Sequence, residues 1–562
     1  MVKRAAVLFS AFAALAACAS SPSYDTIIRG GIVYDGTGAA GFVADVAIAG
    51  DRIAKVGDLS GTNAAREVDA RGKAVSPGFI NVLSWATETL IEDGRAESDL
   101  VQGVTLEVFG EGWSMGPLND AMKAESVKQQ GDIKYDIAWT TLGEYLDHLE
   151  SKGVSPNVAS YVGATTVRIH ELGYADRSPS EAELARMQDL VRAAMREGAL
   201  GVGASLIYAP AFYAKTDELI ALTKAAAEFG GGYIAHMRSE GDRYLEAIDE
   251  TIAIARAADT HAQIYHLKPA GRANWEKSAA GLAKLDAARG DGVDITANIY
   301  TYTAGATGLY ATMPPWVQEG GHDAWVARLK DPKIRKRVIR EMRAPAEGWE
   351  NLMQLAGGAG NVLLIGFKSE ALKPLTGKTL AEVAKVRGKS AEDTIIDLII
   401  EDDSRIDAAF FLMSEENIRR NIAWPHLMFG SDEGAYSPEG VFLKSNAHPR
   451  AYGTFARLLG KYVRDEKVIP LEEAIRRLTS LSADSLRIKD RGRIREGWYA
   501  DIVVFDPAAI ADKASYDKPH QLSTGVEHVF VNGVPTVADG AHTGAKAGRV
   551  VRGPGWTGEA AE

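Results

Sequence analysis

The sequence predicts an α/β protein: a (β/α)₈ TIM-like barrel carrying a small β-sandwich composed of N- and C-terminal segments. Two patterns carry that expectation. Over about 78–485, apolar runs of strand length alternate with amphipathic helical stretches, as repeated β–α units require. At both ends the idiom changes to short strands punctuated by Gly and Asp-Gly turns. TIIRGGIVYDG, ADVAIAGDRIAKVG and AREVDARGKAVSPG stand near the start, GRIREGWYADIVVFDP and GVEHVFVNGVPTVADG near the finish. A length of 562 residues accommodates such a plan, and 46% apolar with 25% charged residues is ordinary for a soluble enzyme.

Taken in order, residues 1–18 read as a lipoprotein signal peptide. MVKRAAVLFSAFAALAACAS has a basic start, a short apolar run and small residues before Cys18. Leu15-Ala16-Ala17-Cys18 resembles the bacterial lipobox, whose cysteine is lipidated, and Ala19 resembles the residue found after it in lipoproteins sorted to the outer membrane. The expectation is a periplasmic protein tethered to the outer membrane through Cys18. Cys18 is the only cysteine, so no intramolecular disulfide forms. Residues 24–77 are the first part of the sandwich, 78–488 the barrel, and 489–562 the second part with the C-terminal tail. Within the barrel, SEAELARMQDLVRAAMREGA and TDELIALTKAAAEFG have helical spacing. LEVFG, GVGASLIY, GYIAHM, AQIYHLK, DITANIYTY, NVLLIGF and HLMFGSD are the strand-like runs after the opening PGFIN.

The net charge of −12 argues against nucleic acid as a partner, because phosphate binding needs a basic face. After the first twenty residues no run approaches the roughly 18 apolar residues needed to span a bilayer. A small molecule is the expected partner, and the membrane is reached only through the anchor at Cys18. The sequence leaves the oligomeric state open.

In such a barrel, chemistry sits at the C-terminal ends of the strands. His236 ends GYIAH, sharing a strand face with Ile234, and His266 follows Ile264 in the same way. Glu111 stands between two glycines just past LEVF, and Asp432 just past HLMFGS. Two imidazoles and a carboxylate, with a fourth position open, make a recurrent catalytic zinc set. A strand-end histidine is commonly a hydrogen-bonded core residue, and Asp432 could be only a helix cap. All four bland explanations would have to hold together.

These blocks identify a resemblance. HMRSEGDRYLEAIDE, HLKPAGRANW, NIYTYTAG, FGSDEGA and HPRAYGTFARLLGKYVR are similar, in this order, to the metal-dependent amidohydrolase superfamily and within it to the D-aminoacylases (N-acyl-D-amino-acid deacylases). VSPGFIN, QGVT, LIYAPAFYAKTDELIAL and GRIREGWYADIVVFDP extend the likeness over nearly the whole mature length. The resemblance implies that His236 and His266 hold a metal and that Asp432 moves the proton as general acid and base. It implies that Lys268, Tyr300 and Arg450 hold the substrate's carboxylate, with His448 beside the arginine lining the cleft. Two departures stand out. The His-x-His pair expected at the end of the first strand is Leu83 and Trp85, a variant lacking the weaker second metal site. The cysteine ligand expected after LEVFG is also missing, and Glu111 is the nearest substitute.

A zinc ion accepts carboxylate oxygen at roughly 2.0–2.2 Å, so the reading is one divalent ion, Zn2+ first, on Glu111, His236 and His266. The harder oxygen donor leaves room for another divalent ion. Trp113, Tyr208, Phe212 and Tyr213 are candidates for an apolar acyl pocket. The expected activity is metal-dependent hydrolysis of the linear amide of N-acyl-D-amino acids or related acylated amino acids. The alternatives are a cyclic-amide hydrolase or dipeptidase of the same superfamily, and a non-catalytic binding lipoprotein.

Overall fold

A computed structural model describes residues 23–558; the expected signal peptide and lipidation site, residues 1–18 with Cys18, lie outside the described residues. Eight parallel strands close on themselves. In chain order they are Phe79–Asn81, Val104–Phe109, Asn157–Ser160 (continued by Val162–Gly163), Gly201–Ser205, Gly232–His236, Ala262–Ile264, Ile295–Ile299 and Leu427–Phe429. They pair within two parallel groups. The groups are joined where Leu200 N–H donates to Ser160 O at 2.9 Å and Val82 N–H to Phe429 O at 3.4 Å. Ile80, Val82, Leu106, Val108, Ile234, Tyr265 and Met428 fill the interior, so the barrel is a packed core and not a pore.

The helices follow from local chemistry. Glu181–Arg196 starts at Ser180, whose hydroxyl accepts from Glu183 N while the Glu183 side chain returns to Ser180 N, a capping box. Met187, Val191, Ala194 and Met195 form its buried stripe, spaced three to four residues apart. Thr141 with Glu144, and Thr379 with Glu382, repeat the same start signal.

Both ends of the chain meet in one nine-stranded sheet, where Ala74–Pro77 pairs antiparallel with Ile502–Phe505. Tyr24–Val33 belongs to two layers: Tyr24 to Arg29 pairs with Ala64–Asp69, and Ile32 and Val33 pair with Ala74–Pro77. A register shift between Ile28 and Gly31, with Gly30 at φ +63°, bends the strand between them. Its own core includes Ile28, Val46, Ile48, Ile53, Val504 and Phe530.

One reading of the sequence is corrected. NVLLIGF is a strand, Val362–Gly366, but it belongs to a separate three-stranded antiparallel sheet with Gly305–Gly308 and Asp407–Phe410. That sheet and its helices form a long insertion between the seventh and eighth barrel strands. The strand that completes the eight is Asn157–Gly163, third in chain order, which the sequence reading passed over because it is interrupted at Tyr161 and holds few large aliphatics. Among the described residues, no helix is long and apolar enough to cross a membrane.

Candidate metal centre

Glu111 owes its place to glycines. Gly110 and Gly112 both have positive φ, and the fourth strand passes so close that a Cβ on Gly203 would lie 1.9 Å from Gly110 O. Ser205 Oγ donates to Glu111 O at 2.7 Å. The turn is thereby pinned to the barrel rim, with the carboxylate facing inward.

There Glu111 Oε1 lies 3.2 Å from His236 Nδ1 and 3.0 Å from His266 Nε2. All three residues are buried, and their ligand atoms lie within 4.8 Å of one another. Burial works against ionisation of Glu111, yet the His266 charge and hydrogen bonds from both rings hold its carboxyl well below the usual range. Burial and Lys268 disfavour a charged His266, but Glu240 and Glu111 outweigh them and raise it to about 9. Three donors of the right types converging on one point fit a divalent ion with an open coordination position.

The far side of the rings is organised by Glu240, which sequence reasoning did not single out. Glu240 Oε1 lies 2.9 Å from His266 Nδ1 and 2.7 Å from Lys268 Nζ, and Oε2 lies 3.7 Å from His236 Nε2. A carboxylate 2.9 Å from His266 Nδ1 favours a proton on that outward nitrogen and leaves Nε2 as a donor to an ion, while at 3.7 Å it reaches His236 Nε2 through charge and not through a hydrogen bond. Glu240 is itself held from the insertion. Glu350 Oε1 accepts from Ser239 Oγ at 2.7 Å, Glu240 N at 2.7 Å and Gly241 N at 2.6 Å. The Glu of HMRSEG, four residues past His236, was the only available signal for this layer.

Asp432 and His266 occupy left-handed backbone, with φ of +54° and +33°. Such conformations cost of order 1–3 kcal/mol in residues with a side chain and persist where neighbours impose them. Asn298 Oδ1 accepts from His266 N and Asn81 Oδ1 from Ser431 N, each at 2.8 Å, while Asp432 N–H donates to Leu83 O at 2.8 Å. Burial pushes the Asp432 carboxyl up, as does Glu111, and Arg450 opposes both. Arg450 Nη1 stands 2.7 Å from Asp432 Oδ2.

Leu83 and Trp85 have different fates. Leu83 is 1% exposed and packs into the barrel interior. Trp85 Nε1 lies 2.9 Å from Glu111 Oε2 and 3.2 Å from Asp432 Oδ1, so its N–H serves the two carboxylates at once.

Glu111, His236, His266, Lys268, Tyr300, Asp432 and Arg450 face one cavity of about 750 Å³. His448 does not reach it. Its Nδ1 accepts from Arg450 N at 3.0 Å, and it lies fully buried behind the arginine, so it supports the cleft wall and does not line it. Trp113 and Tyr208 line the cavity; Phe212 and Tyr213 do not, and Tyr213 Oη donates to Pro315 O at 2.8 Å.

Residues 66–537 match the family model described as "Amidohydrolase family". The chain belongs to the amidohydrolase family. Within it, the chain belongs with the D-aminoacylases. It is 32% identical to a D-aminoacylase of Alcaligenes xylosoxydans xylosoxydans over 94% of this chain and 98% of that one. It is also 32% identical to an N-acyl-D-glutamate deacylase of the same organism, over 94% and 96%. Among solved structures, a D-aminoacylase described as defining a novel subset of amidohydrolases superposes with a TM-score of 0.78 at 33% identity, covering 94% of this chain and all of that one. The N-acyl-D-glutamate deacylase of Bordetella bronchiseptica, complexed with zinc and a phosphonate mimic of the tetrahedral intermediate, gives 0.76 at 29%, covering 94% and 99%. A dihydropyrimidinase of Brevibacillus agri, at 16% identity and 0.54, shares the fold.

Proposed function

We propose that the protein hydrolyses the amide bond of N-acyl-D-amino acids with one divalent ion, zinc first, held by Glu111, His236 and His266. The observation that carries this is the convergence of the inward imidazole nitrogens on Glu111 Oε1, at 3.2 and 3.0 Å. A single ion is supported by Leu83 and Trp85, which supply no ligand atoms where a second ion would need them. A D-aminoacylase with a binuclear centre is described as having one-metal activation and second-metal attenuation. That description is compatible with catalysis by one ion.

Glu111, His236 and His266 would hold the ion, which would supply Lewis acidity for the scissile carbonyl and for the attacking water. The rest falls to side chains. Asp432, at the cavity wall, takes the proton from the attacking water and returns it to the leaving nitrogen. Its raised carboxyl makes the second transfer easier. Arg450 Nε and Tyr300 Oη are buried without partners in the chain, so they offer donors for the substrate's carboxylate. Lys268 adds positive charge on the same side while holding Glu240.

The test pairs elemental analysis with a panel of enantiomeric N-acyl amino acids, hydantoins and dipeptides. The expected result is about one ion per chain and turnover confined to N-acyl-D substrates. His236→Ala should lose both metal and activity, and Asp432→Asn activity alone. Two ions per chain, or a preference for hydantoins, would refute the reading. Residues 1–18 and Cys18 support a periplasmic, outer-membrane-anchored lipoprotein; Cys18→Ser should then move the protein out of the membrane fraction, and an unchanged distribution would exclude the anchor.

A further inference from the structure

The circular order of the strands separates the two ends of the substrate. In an eight-stranded barrel, strand i faces strand i+4 across the mouth. The carboxylate-binding groups follow the sixth, seventh and eighth strands: Lys268, Tyr300 and Arg450. The facing arc, after the second and third strands, carries Trp113, Met115 and Leu118, then Ile169 and Tyr174, all on the wall of the same cavity. A substrate whose carboxylate lies on one arc and whose carbonyl lies at the centre must send its acyl group toward the other.

That arc is apolar and open. Trp113, two residues past Glu111, is 37% exposed, a large indole left uncovered inside the mouth. A volume of about 750 Å³ equals roughly 25 water volumes, far more than an acetyl-amino acid fills. The rim above is polar and mixed in charge: Tyr135 Oη donates to Glu88 Oε1 at 2.6 Å and Tyr174 Oη to Glu125 Oε2 at 3.0 Å, while Arg405 and Lys368 line the same cavity. A dicarboxylic acyl group such as succinyl would have to bury its second carboxylate against Trp113, Met115 and Leu118, a desolvation cost that a neutral chain avoids.

We propose that the acyl group removed by this enzyme is a large neutral apolar one, medium-chain alkanoyl or arylalkanoyl, seated against Trp113, Met115 and Leu118. The proposal rests on the deacylase reading. Each buried methylene should raise kcat/KM by about fourfold until the arm is full.

The zinc-loaded enzyme is assayed on N-acetyl, N-octanoyl, N-phenylacetyl and N-succinyl derivatives of one D-amino acid. Octanoyl or phenylacetyl should exceed acetyl at least tenfold in kcat/KM, with succinyl below acetyl. Leu118→Trp, which fills the arm, should lower the octanoyl-to-acetyl ratio at least tenfold, and Trp113→Ala should lower it by removing the wall. Acetyl or succinyl as the best substrate, or a ratio unmoved in both variants, overturns the proposal and leaves the deacylase reading standing. Failure to hydrolyse any N-acyl-D-amino acid overturns both.

Discussion

Trp85 puts one neutral donor between two carboxylates of the site. Glu111 and Asp432 are buried acceptors, and one indole N–H lies within hydrogen-bond reach of both. Trp85→Phe keeps most of the ring volume and removes only that donor. Losing a hydrogen bond to a charged group costs about 1.5–3 kcal/mol, so kcat/KM should fall by roughly 10- to 100-fold. Bound metal should change little, because the three ligands stay. A variant with wild-type kinetics would show that the indole only fills space. At this scale the sequence was partly readable. His236 and His266 stood out because a strand's period-two pattern ended in an imidazole, and Glu111 because glycines flanked it. Glu240 did not stand out: it lies in a loop, and only folding brings it behind both rings.

Among the elements, the insertion after the seventh strand reaches the metal site through one side chain. Glu350 accepts three hydrogen bonds from Ser239, Glu240 and Gly241, holding the loop that carries Glu240. Glu350→Ala leaves those donors without their acceptor and frees Glu240, and loss of an outer-sphere carboxylate's geometry typically weakens metal binding 10- to 100-fold. A zinc-competition titration reads this directly. Glu350→Gln keeps one acceptor oxygen and should restore most of the affinity; equal loss in both variants would mean that charge, not hydrogen bonding, holds the loop. Burial, and after it Glu240, raises the Glu350 carboxyl from 4.5 to about 7. The native state therefore binds the extra proton between those values, and stability falls as pH rises through that window. Glu350→Gln lacks this titration. Its unfolding free energy should gain on wild type from pH 4.5 to 7, by a few kcal/mol at most, and run parallel outside that range. The insertion was also where sequence reading slipped: Val362–Gly366 has the apolar run of a barrel strand, and only its antiparallel partners place it elsewhere. Asn157–Gly163 was missed for the converse reason, being short and broken at Tyr161.

For the whole molecule, the joint between barrel and sandwich lies at the end of the barrel opposite the chemistry. Asp501 sits at its centre. Its carboxylate pairs with Arg491 and accepts from Asn532 N at 2.8 Å, with Asn157 Nδ2 at 3.3 and 3.4 Å. Its carbonyl accepts from Gly78 N at 2.8 Å, just before the first barrel strand. One residue thus ties the entries of the first and third strands to the C-terminal half of the sandwich, which is why β-rich segments at opposite ends of the chain can be read together from sequence. The pairing partners could not be read, since Asn157 and Asp501 are 344 residues apart. Arg491 and Asp501 are both buried, so Asp501→Ala strands a buried guanidinium, a change that costs about 3–5 kcal/mol. Denaturant unfolding should show a loss of that size. Because the metal ligands project from the other end of the barrel, zinc affinity at a temperature where the variant remains folded should match wild type. If instead affinity drops along with stability, the two ends of the barrel are coupled through its packed interior, and the joint is part of the site.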